Sequence, residues 1–357
     1  MKNLQGTMYL SECPATPTVH ASILEGRELK RSVTIYVTRG CNLRCKTCYI
    51  SAGKPLRDEL SVNDYRNIFL ELKELDFQMV YILGGEPMLR GDIFHIIWDA
   101  KYKGLYVSMS SNGYFIDHEK ALRLKESGLD QIQISIDSAD EKMNDYIRGR
   151  NSFSRAVAAV KNLKDVGMKV SIAFTITSFY YDIMKMIELA ESLNVEVINL
   201  SVAQPFGRAA GTGAVPTNEQ VRNVLKDLEK TETDLRITFN GFRFFLDRDA
   251  YYEAKKIAEK DYHTCPAGRE RFVIDSNGDV YGCELLISSE FREGNVKEND
   301  LREIWRNGFH IFRDRRLPNE CISCPFKDLC QGGCPARSYL AGGLDKKDLF
   351  CKSPENF

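Results

Sequence analysis

The sequence predicts an α/β protein in which a parallel sheet, covered by helices, is followed by a smaller cysteine-rich region. Between residues 32 and 215, six short, apolar runs alternate with amphipathic stretches, as expected for buried parallel strands and their crossover helices. Seven of the eleven cysteines fall between Cys265 and Cys351. The alternation fits either an open doubly wound sheet or a partial barrel.

The six strands are predicted from short β-branched runs, at 33–37, 78–83, 105–109, 131–136, 168–175 and 195–202. The intervening stretches read as helices, and in "SVNDYRNIFLELKEL" Ser61 and Asp64 form a variant of the capping box. Further along we expect a helix, a strand, a helix and a hairpin, at about 217–231, 236–239, 250–260 and 271–283. Asn277-Gly278 supplies the positive φ of the hairpin turn. Residues 1–31 have little periodicity and are predicted to be an extended lead-in.

The composition excludes several classes of function. Lys plus Arg number 49 and Asp plus Glu 50, a net charge of −1, so no electrostatic footprint for nucleic acid or an acidic membrane is present. No apolar run approaches the roughly 20 residues that span a bilayer, and the N-terminus lacks the pattern of a signal peptide. We expect a cytoplasmic protein with no nucleic-acid or membrane partner. In a reducing compartment, clustered cysteines more often bind metals than form disulfides.

Three cysteines in one predicted loop, Cys41-x3-Cys45-x2-Cys48, form the first candidate metal site. Soft thiolates suit zinc or an iron–sulfur cluster. A structural zinc site needs a fourth ligand nearby, yet no His or Cys follows before His95. A four-iron cluster held by three cysteines leaves one iron open, and we interpret that position as the seat of a co-substrate. A zinc loop and a chance cluster are the alternatives.

This spacing resembles the signature of the radical S-adenosylmethionine (SAM) superfamily. The resemblance implies a partial (β/α)6 TIM-like barrel and a [4Fe-4S] cluster whose open iron chelates SAM. Reductive cleavage of SAM would yield a 5′-deoxyadenosyl radical that abstracts hydrogen from the substrate. The cofactors carry that chemistry while the protein positions them.

Further motifs of this family follow the predicted strands. Gly84-Gly85-Glu86 resembles the GGE motif, which implies binding of the methionine amino group. Ser111 and Asn112 follow the third strand and Ser135 ends the fourth, matching contacts to ribose and carboxylate, as does Arg148. The alternatives are a plain Gly-Gly turn and, for Arg148, a surface salt bridge. The carboxyl ends of barrel strands are where such folds build their sites.

Two positions near the third cysteine carry the predicted adenine contact. The family usually has an aromatic residue at position 47, where this chain has Thr47, with Tyr49 two residues later. Either Tyr49 substitutes for that residue or only backbone groups serve. The segment "AQPFGRA", residues 203–209, also resembles a recurrent family segment after the sixth strand.

The C-terminal cysteines resemble the SPASM extension of radical SAM enzymes, gap for gap. The resemblance implies two auxiliary [4Fe-4S] clusters, the first bound by Cys265, Cys283 and Cys334 and the second by Cys321, Cys324, Cys330 and Cys351, so that the protein has three clusters in all. A four-cysteine zinc ribbon over 321–334 is the alternative. Seven thiols are one fewer than two closed clusters need, so the first auxiliary cluster keeps an open iron or uses a group such as His263.

Glu284 follows Cys283 directly, at the place where sulfatase maturases carry an acidic proton acceptor. That resemblance predicts that Glu284 takes the proton released when a substrate radical is oxidised. The alternative is a solvated glutamate on the hairpin. Cys13 matches neither cysteine pattern and is predicted to be a free thiol.

These observations together predict a radical SAM/SPASM oxidoreductase that matures a ribosomally made peptide or protein by crosslinking, epimerisation or oxidation. The alternatives are modification of a small molecule, such as a tetrapyrrole, sugar or nucleoside, and a non-catalytic iron–sulfur or zinc module. An electron donor such as flavodoxin or ferredoxin is implied. A lead-in of 31 residues is below the size of a leader-binding domain, so a separate leader-binding protein is expected. The predicted segments are a lead-in, the barrel, a bridging region and the SPASM domain, at 1–31, 32–215, 216–256 and 257–357.

Overall fold

A computed structural model describes residues 8–11, 31–240, 265–325 and 327–351. Its strands form a single eleven-stranded sheet. In chain order they are β1 Met8–Ser11, β2 Ser32–Tyr36, β3 Met79–Leu83, β4 Tyr106–Ser111, β5 Gln131–Ser135, β6 Val170–Ile176, β7 Val197–Val202, β8 Arg236–Asn240, β9 Arg271–Ile274, β10 Asp279–Tyr281 and β11 Arg292–Asn295.

The six predicted barrel strands are confirmed as β2 to β7, each within two residues of its predicted bounds. They lie side by side in chain order and every neighbouring pair is parallel. An open doubly wound sheet would reverse its strand order at a switch point. Because this order never reverses and crossovers are right-handed, the connecting helices lie on one side of the sheet. The arrangement is the partial barrel.

Helices fill the crossovers. In chain order the described helices are α1 Val62–Glu74, α2 Ile93–Tyr102, α3 His118–Glu126, α4 Glu141–Arg148, α5 Ser152–Asp165, α6 Ile183–Ser192, α7 Ala209–Thr212, α8 Asn218–Glu229, α9 Leu301–Asn307, α10 His310–Arg313, α11 Lys327–Cys330 and α12 Pro335–Leu340. The predicted capping box of α1 is confirmed, with Ser61 and Asp64 bonding each other's backbone N–H. The helix predicted at 217–231 is confirmed as α8.

Barrel strands present apolar side chains to the helices and polar ones to the interior. In β5 the residues alternate as Gln131, Ile132, Gln133, Ile134 and Ser135. Polar side chains of neighbouring strands form a hydrogen-bonded network around Asn199. Thr238 Oγ1 donates to Asn199 Oδ1 at 2.6 Å, and Asn199 Nδ2 donates to Ser171 Oγ at 3.0 Å and to Gln133 Oε1. The barrel interior is therefore polar near its centre.

Strands from outside the predicted barrel extend the sheet at both edges. β8, predicted near 236–239, pairs with β7, and β1 pairs with β8, so the lead-in contributes a strand. At the other edge β9 runs parallel to β2, and β10 and β11 continue antiparallel. The predicted hairpin is confirmed, and Gly278 supplies its positive φ of 94°. The helix predicted near 250–260 lies outside the described residues.

Over the ranges that the structure describes, no helix combines the length and apolar character needed to cross a membrane.

Candidate active site at the carboxyl ends of the strands

The first three cysteines lie in a loop that follows β2, residues 37–53, here called the cysteine loop. Its base is closed by main-chain hydrogen bonds, from Cys41 N–H to Gly53 O at 3.0 Å and from Gly53 N–H to Arg39 O at 2.9 Å. Its tip is tied to α4 by Lys46 N–H, which donates to Ile147 O at 2.8 Å. The main chain therefore defines the shape of this loop.

The thiols of the cysteine loop are half-buried and lie close enough to affect one another's pKa. Burial raises the pKa of Cys41, and it raises the pKa of Cys45 to about 11, with the neighbouring Cys48 thiol adding to both. Leu43 N–H and Ala52 N–H each donate to a cysteine sulfur, of Cys41 and of Cys48, at 3.4 Å. Amide donors favour thiolates, but positive charge from a metal centre is what holds buried thiols deprotonated.

Gly84 and Gly85 follow β3 and pack directly on the cysteine loop. A Cβ at Gly85 would lie 2.1 Å from Gly40 O, and one at Gly84 would lie 2.7 Å from Thr38 O. Gly85 N–H donates to Thr38 O at 2.7 Å. Glycine is needed at both positions because two backbones touch. The alternative of a plain Gly-Gly turn does not account for this contact.

Glu86 is fully buried, and its carboxylate joins the ends of β3 and β4. It accepts hydrogen bonds from Ser111 Oγ at 2.8 Å, Asn112 N–H at 2.7 Å and Met88 N–H at 3.0 Å. Burial raises the pKa of this carboxyl, while these donors oppose the rise. The Glu86 side chain therefore positions neighbouring turns, and binding of an ammonium by Glu86 stays a prediction.

Arg148 ends α4 and faces the same cavity. Nη1 donates to Asp137 Oδ2 at 2.7 Å, and both side chains are nearly buried, so the alternative of a surface salt bridge is wrong. Burial alone would lower the pKa of Arg148, but the neighbouring Cys45 and Asp137 raise it overall. Within the described residues Nε is buried without a hydrogen-bond partner. An orphaned guanidinium N–H on a cavity wall fits an anionic ligand such as a carboxylate.

One cavity of about 210 Å³ collects most of the predicted site. Its lining includes the three thiols of the cysteine loop and nearly all the predicted SAM contacts, namely Cys41, Cys45, Cys48, Thr47, Tyr49, Gly84, Gly85, Ser111, Asn112, Ser135 and Arg148. Tyr49 and Tyr36 share a hydrogen bond between their hydroxyls at 3.0 Å. Glu86 is the predicted SAM contact that lies behind the wall.

Arg208, to which sequence reasoning gave no role, clamps the cysteine loop. Its backbone N–H donates to Cys48 O at 2.9 Å, Nε to Cys45 O at 2.9 Å and Nη1 to Ala52 O at 2.8 Å. Gly207 beside it has a φ of +55°, and a Cβ there would lie 2.4 Å from Tyr49 O. The resemblance in the segment 203–209 was the available signal.

Polar side chains on the barrel wall were also missed. Ser110, Gln133, Thr175, Asn199 and Ser201 line the cavity beneath the cysteine loop. The strict alternation in "QIQIS" was the signal, since a strand with one polar face reads with period two. This surface offers uncharged donors and acceptors to a ligand.

Glu284 is buried below the cavity wall, so its alternative description as a solvated glutamate is wrong. Its carboxylate accepts from Thr34 Oγ1 at 2.9 Å and from Arg271 Nη2 at 2.5 Å. Leu285, the next residue, lines the cavity. Burial, with a smaller contribution from Glu284, raises the pKa of both Tyr49 and Tyr81 on the wall.

The four cysteines assigned to the second auxiliary cluster are electrostatic neighbours. Burial raises the pKa of Cys330 to about 12, and Cys351, Cys321 and Cys324 contribute to the rise. Burial also raises the pKa of Cys351, again with Cys321 and Cys324 contributing. Residues as far apart as 321 and 351 thus meet in space.

One cysteine of the first auxiliary set, Cys265, lines a second cavity of about 360 Å³. Cys265 lines it together with Gly333 and Pro335, the two neighbours of Cys334. Phe312 also lines it, and a Cβ at Gly282, beside Cys283, would lie 2.2 Å from the Phe312 ring. His263 and Cys13 lie outside the described residues.

The spacing of these side chains bears on the zinc alternatives. Within 8–11, 31–240, 265–325 and 327–351, no group of three or more His, Cys, Asp or Glu side chains is arranged to hold a single metal ion. A four-iron cubane places irons and sulfides between its thiolates and needs wider ligand spacing than one zinc ion. The donor set of soft thiols fits clusters.

A partial barrel with a three-cysteine loop and a cavity at its strand ends defines a class of iron–sulfur enzymes, and the comparisons give the family. The profile of the Radical SAM superfamily matches residues 35–193, and that of the SPASM iron-sulfur cluster-binding domain matches residues 265–325. The chain is 32% identical over 327 residues to mycofactocin maturase MftC of Mycolicibacterium smegmatis, covering 89% of this chain and 82% of that one. The chain belongs to the radical SAM superfamily and carries a SPASM domain.

Further relatives and solved structures are similar over most of their length. AdoMet-dependent heme synthase of Nitratidesulfovibrio vulgaris is 30% identical over 350 residues, covering 92% of this chain and 94% of that one. Streptococcus suis SuiB bound to S-adenosylmethionine has a TM-score of 0.77 at 21% identity, covering 94% and 81% of the two chains. Native anSMEcpe with bound AdoMet has a TM-score of 0.72 at 18% identity, covering 89% and 93%. At these identities the solved structures establish the fold.

The family assignment has consequences for activity. The chain is an enzyme. Its cofactors are a SAM-binding [4Fe-4S] cluster, auxiliary iron–sulfur clusters and SAM. Since both profiles match, the alternative of a non-catalytic iron–sulfur or zinc module is wrong.

Proposed function

We propose that this enzyme modifies a ribosomally made peptide or protein by radical chemistry in the cavity beneath the cysteine loop. The observation that carries the proposal is this cavity, which brings the three cysteines, the Gly84-Gly85 turn and Arg148 onto one wall. The match to mycofactocin maturase MftC over 82% of that protein supports a peptide substrate, and so does the fold shared with SuiB bound to precursor peptide SuiA.

Cys41, Cys45 and Cys48 would ligate the SAM-binding cluster. When bound, that cluster supplies the electron that splits SAM into methionine and the 5′-deoxyadenosyl radical. The protein's own part is to hold the nucleotide and keep water away. Arg148, with a free Nε, would receive the methionine carboxylate, and the backbone at Gly84-Gly85 would receive the amino group, since glycines let a ligand approach the main chain closely.

The substrate would enter over the uncharged polar wall. Gln133, Asn199 and Ser201 offer amide and hydroxyl groups, which match the carbonyl and N–H groups of a peptide backbone. Arg148 and Arg208 are the cationic side chains on the described lining, and protein oxygens engage both. A peptide therefore suits the wall better than a substrate with several carboxylates.

Two auxiliary clusters would be held by the seven C-terminal cysteines, in the sets Cys265, Cys283, Cys334 and Cys321, Cys324, Cys330, Cys351. Leu285 reaches the cavity from the segment that carries Cys283, which supports a position of the first auxiliary cluster on the substrate side. The Glu284 carboxylate lies behind the cavity wall. A proton would therefore reach it through polar side chains between the carboxylate and the cavity. An acidic electron carrier such as flavodoxin or ferredoxin would supply electrons, and a separate protein would bind the leader of the precursor.

The test has two stages, both anaerobic and with reconstituted full-length protein. With SAM and a strong reductant, we expect release of methionine and 5′-deoxyadenosine. With a short peptide encoded beside the gene and deuterated throughout, we expect deuterium in 5′-deoxyadenosine and a mass change in the peptide. SAM cleavage without deuterium transfer from any neighbouring peptide would refute the peptide substrate while leaving the enzyme class intact.

Glu284 is tested within the same assay. Glu284→Gln keeps the shape of the side chain and removes the base, so peptide product should fall about 100-fold while SAM cleavage continues, as expected for loss of a general base. Glu290→Gln, on the same segment but at an exposed site, is the control. Equal loss of SAM cleavage in Glu284→Gln would point to a structural role.

Modification of a tetrapyrrole is the second candidate, because the heme synthase relative matches 94% of its own length. The uncharged wall argues against it, since tetrapyrrole side chains carry carboxylates that need cationic partners. Incubation with an iron-bound tetrapyrrole carboxylate discriminates the two candidates. Carbon dioxide release at the rate of SAM cleavage would favour the tetrapyrrole.

A further inference from the structure

A buried arginine–aspartate pair lies between the cavity wall and the C-terminal cysteines. The side chains of Arg337, in α12, and Asp348 are each 1% exposed, and Arg337 Nε donates to Asp348 Oδ1 at 2.8 Å and to Oδ2 at 3.0 Å. A buried ion pair offers little net stability over apolar packing, because both charges lose their hydration. Its neighbours therefore indicate its role.

Asp348 contacts the main chain of both proposed auxiliary sets. Cys334 N–H donates to Asp348 Oδ2 at 2.7 Å, and Cys334 belongs to the first set. Cys351 N–H donates to the backbone oxygen of Asp348 at 2.9 Å, and Cys351 belongs to the second set. The negative charge of Asp348 therefore lies one hydrogen bond from the main chain of the first set. In the sequence, Asp348 is three positions before Cys351 of the second set.

Arg337 connects that carboxylate to the active cavity. Its Nη1 donates to Gln204 Oε1 at 3.1 Å, and Gln204 lines the cavity after β7. Because arginine has donors and no acceptor, the amide oxygen of Gln204 must face it. Gln204 Nε2 then donates to Val202 O at 3.0 Å. The contacts run without a break from the cavity wall to the cysteine backbone.

We propose that the opposite charges of Asp348 and Arg337 set the reduction potentials of the auxiliary clusters. A buried negative charge beside a cluster disfavours an added electron, and a buried positive charge favours it, since the low dielectric of the interior screens neither. The inference rests on the proposed ligation of auxiliary clusters by Cys334 and Cys351. It does not depend on the identity of the substrate.

The test is a dye-mediated redox titration of the reconstituted full-length protein, followed by electron paramagnetic resonance without substrate. The SAM-binding cluster is identified as the one whose signal changes on adding SAM. Asp348→Asn keeps an oxygen for the Cys334 N–H and removes the charge, so the auxiliary potentials should shift to more positive values. Arg337→Gln should shift them to more negative values. The reduction potential of the SAM-binding cluster should not change in either variant.

Asp99→Asn is the control. Asp99, in α2, is also buried and pairs with an arginine at 3.1 Å. The side chain of that arginine, Arg66, is half exposed, and the pair lies among barrel helices. Neutralising Asp99 should leave the auxiliary potentials unchanged. A shift in this control equal to that of Asp348→Asn would overturn the proposal.

Asp348→Asn with full iron content and unchanged auxiliary potentials overturns the proposal, as does an equal shift of the SAM-binding cluster. If one variant loses iron, the other single variant and the double variant decide, with the double expected to lie between the singles. Auxiliary iron lost from all three variants marks the pair as structural support and overturns the proposal. Missing peptide product alongside the expected shifts would count against the proposed function alone.

Discussion

The cysteine loop and the C-terminal cysteine region, residues 265–325 and 327–351, hold their thiols in different ways. The loop carries its three thiols within eight residues, on a main chain closed by its own hydrogen bonds and by Arg208. The C-terminal region spreads seven thiols over 87 residues, with helices of four to seven residues. There, long side chains bridge the segments, as Arg315 does when its Nη1 donates to Gly333 O at 2.8 Å.

The two regions should therefore differ in how far each site is formed before metal binds. A loop fixed by main-chain contacts to a rigid barrel presents its thiols in place, whereas separated short segments gain order from their clusters. The two regions nevertheless share one sheet, through β2 and β9, and a salt bridge from Arg39 to Asp275 at 2.6 Å. Because main-chain contacts within the barrel, and not the C-terminal cysteines, fix the cysteine loop, loss of one cluster site should still be separable from loss of the other.

The largest effect is expected from substitution of a single cysteine in each of the two regions. Cys45→Ala should remove about four irons per chain, one [4Fe-4S] cluster, and abolish SAM cleavage. Cys330→Ala, its matched control in the other region, should also lose iron but retain SAM cleavage, because the site in the barrel does not depend on the C-terminal cysteines. Iron content and 5′-deoxyadenosine release measure both. Abolished SAM cleavage in Cys330→Ala would show that the regions form one unit.

A methyl group placed between two backbones should have the next largest effect. Gly85→Ala would put a Cβ 2.1 Å from Gly40 O, so the cysteine loop must move, at a cost of about 1–3 kcal/mol in the free energy of unfolding. Denaturant unfolding of the iron-free protein gives that value. Gly91→Ala is the control, since a Cβ there meets nothing within 4 Å, and it should change stability by less than about 0.5 kcal/mol.

Loss of the arginine clamp should have an intermediate effect. Arg208→Ala removes side-chain hydrogen bonds to Cys45 O and Ala52 O, which support the ligand loop from outside the coordination sphere. Such losses cost about 10- to 100-fold in metal affinity or activity, so SAM cleavage per chain should fall by about that factor. Arg208→Lys should recover only part of it. Unchanged cleavage in Arg208→Ala would mean that the main chain alone fixes the loop.

The smallest effect is a pH dependence confined to the C-terminal hairpin. Burial would raise the pKa of Asp279, but hydrogen bonds from Asn295, Asn277 and Arg292 lower it overall, below its ordinary value of 3.8. The stabilisation is therefore complete above about pH 4 and is lost as the pH falls through the lowered folded pKa. Asp279→Asn should be less stable than wild type at neutral pH, with a difference that shrinks toward pH 2. Acid unfolding followed by tryptophan fluorescence measures it, and a constant difference would contradict it.

The barrel could be predicted from the sequence because its signals are local. Strands such as β3 and β6 are short runs of apolar and β-branched residues, and the cap of α1 depends on residues three apart. The positions of Gly84 and Arg148 on one cavity followed from the rule that parallel strands share a carboxyl edge. The joining of β9 to β2 could not be predicted, since strand pairing between residues over 230 apart leaves no local pattern.

Local patterns were enough to predict the cysteine spacings, the positions of β2 to β7 along the chain and the residues that follow their ends, because hydrophobic period and ligand spacing are properties of neighbouring residues. The same patterns fit a doubly wound sheet and a partial barrel, and the strand order of the folded chain distinguishes the two. Three contacts exist only in the folded chain, namely Glu284 buried against Arg271, Arg208 bonded to the cysteine loop, and Arg337 paired with Asp348 between the cavity and the cysteines. Those are contacts of charged and polar side chains from distant segments. A charged residue looks the same in a sequence whether it faces water or a buried partner, and only packing makes that choice.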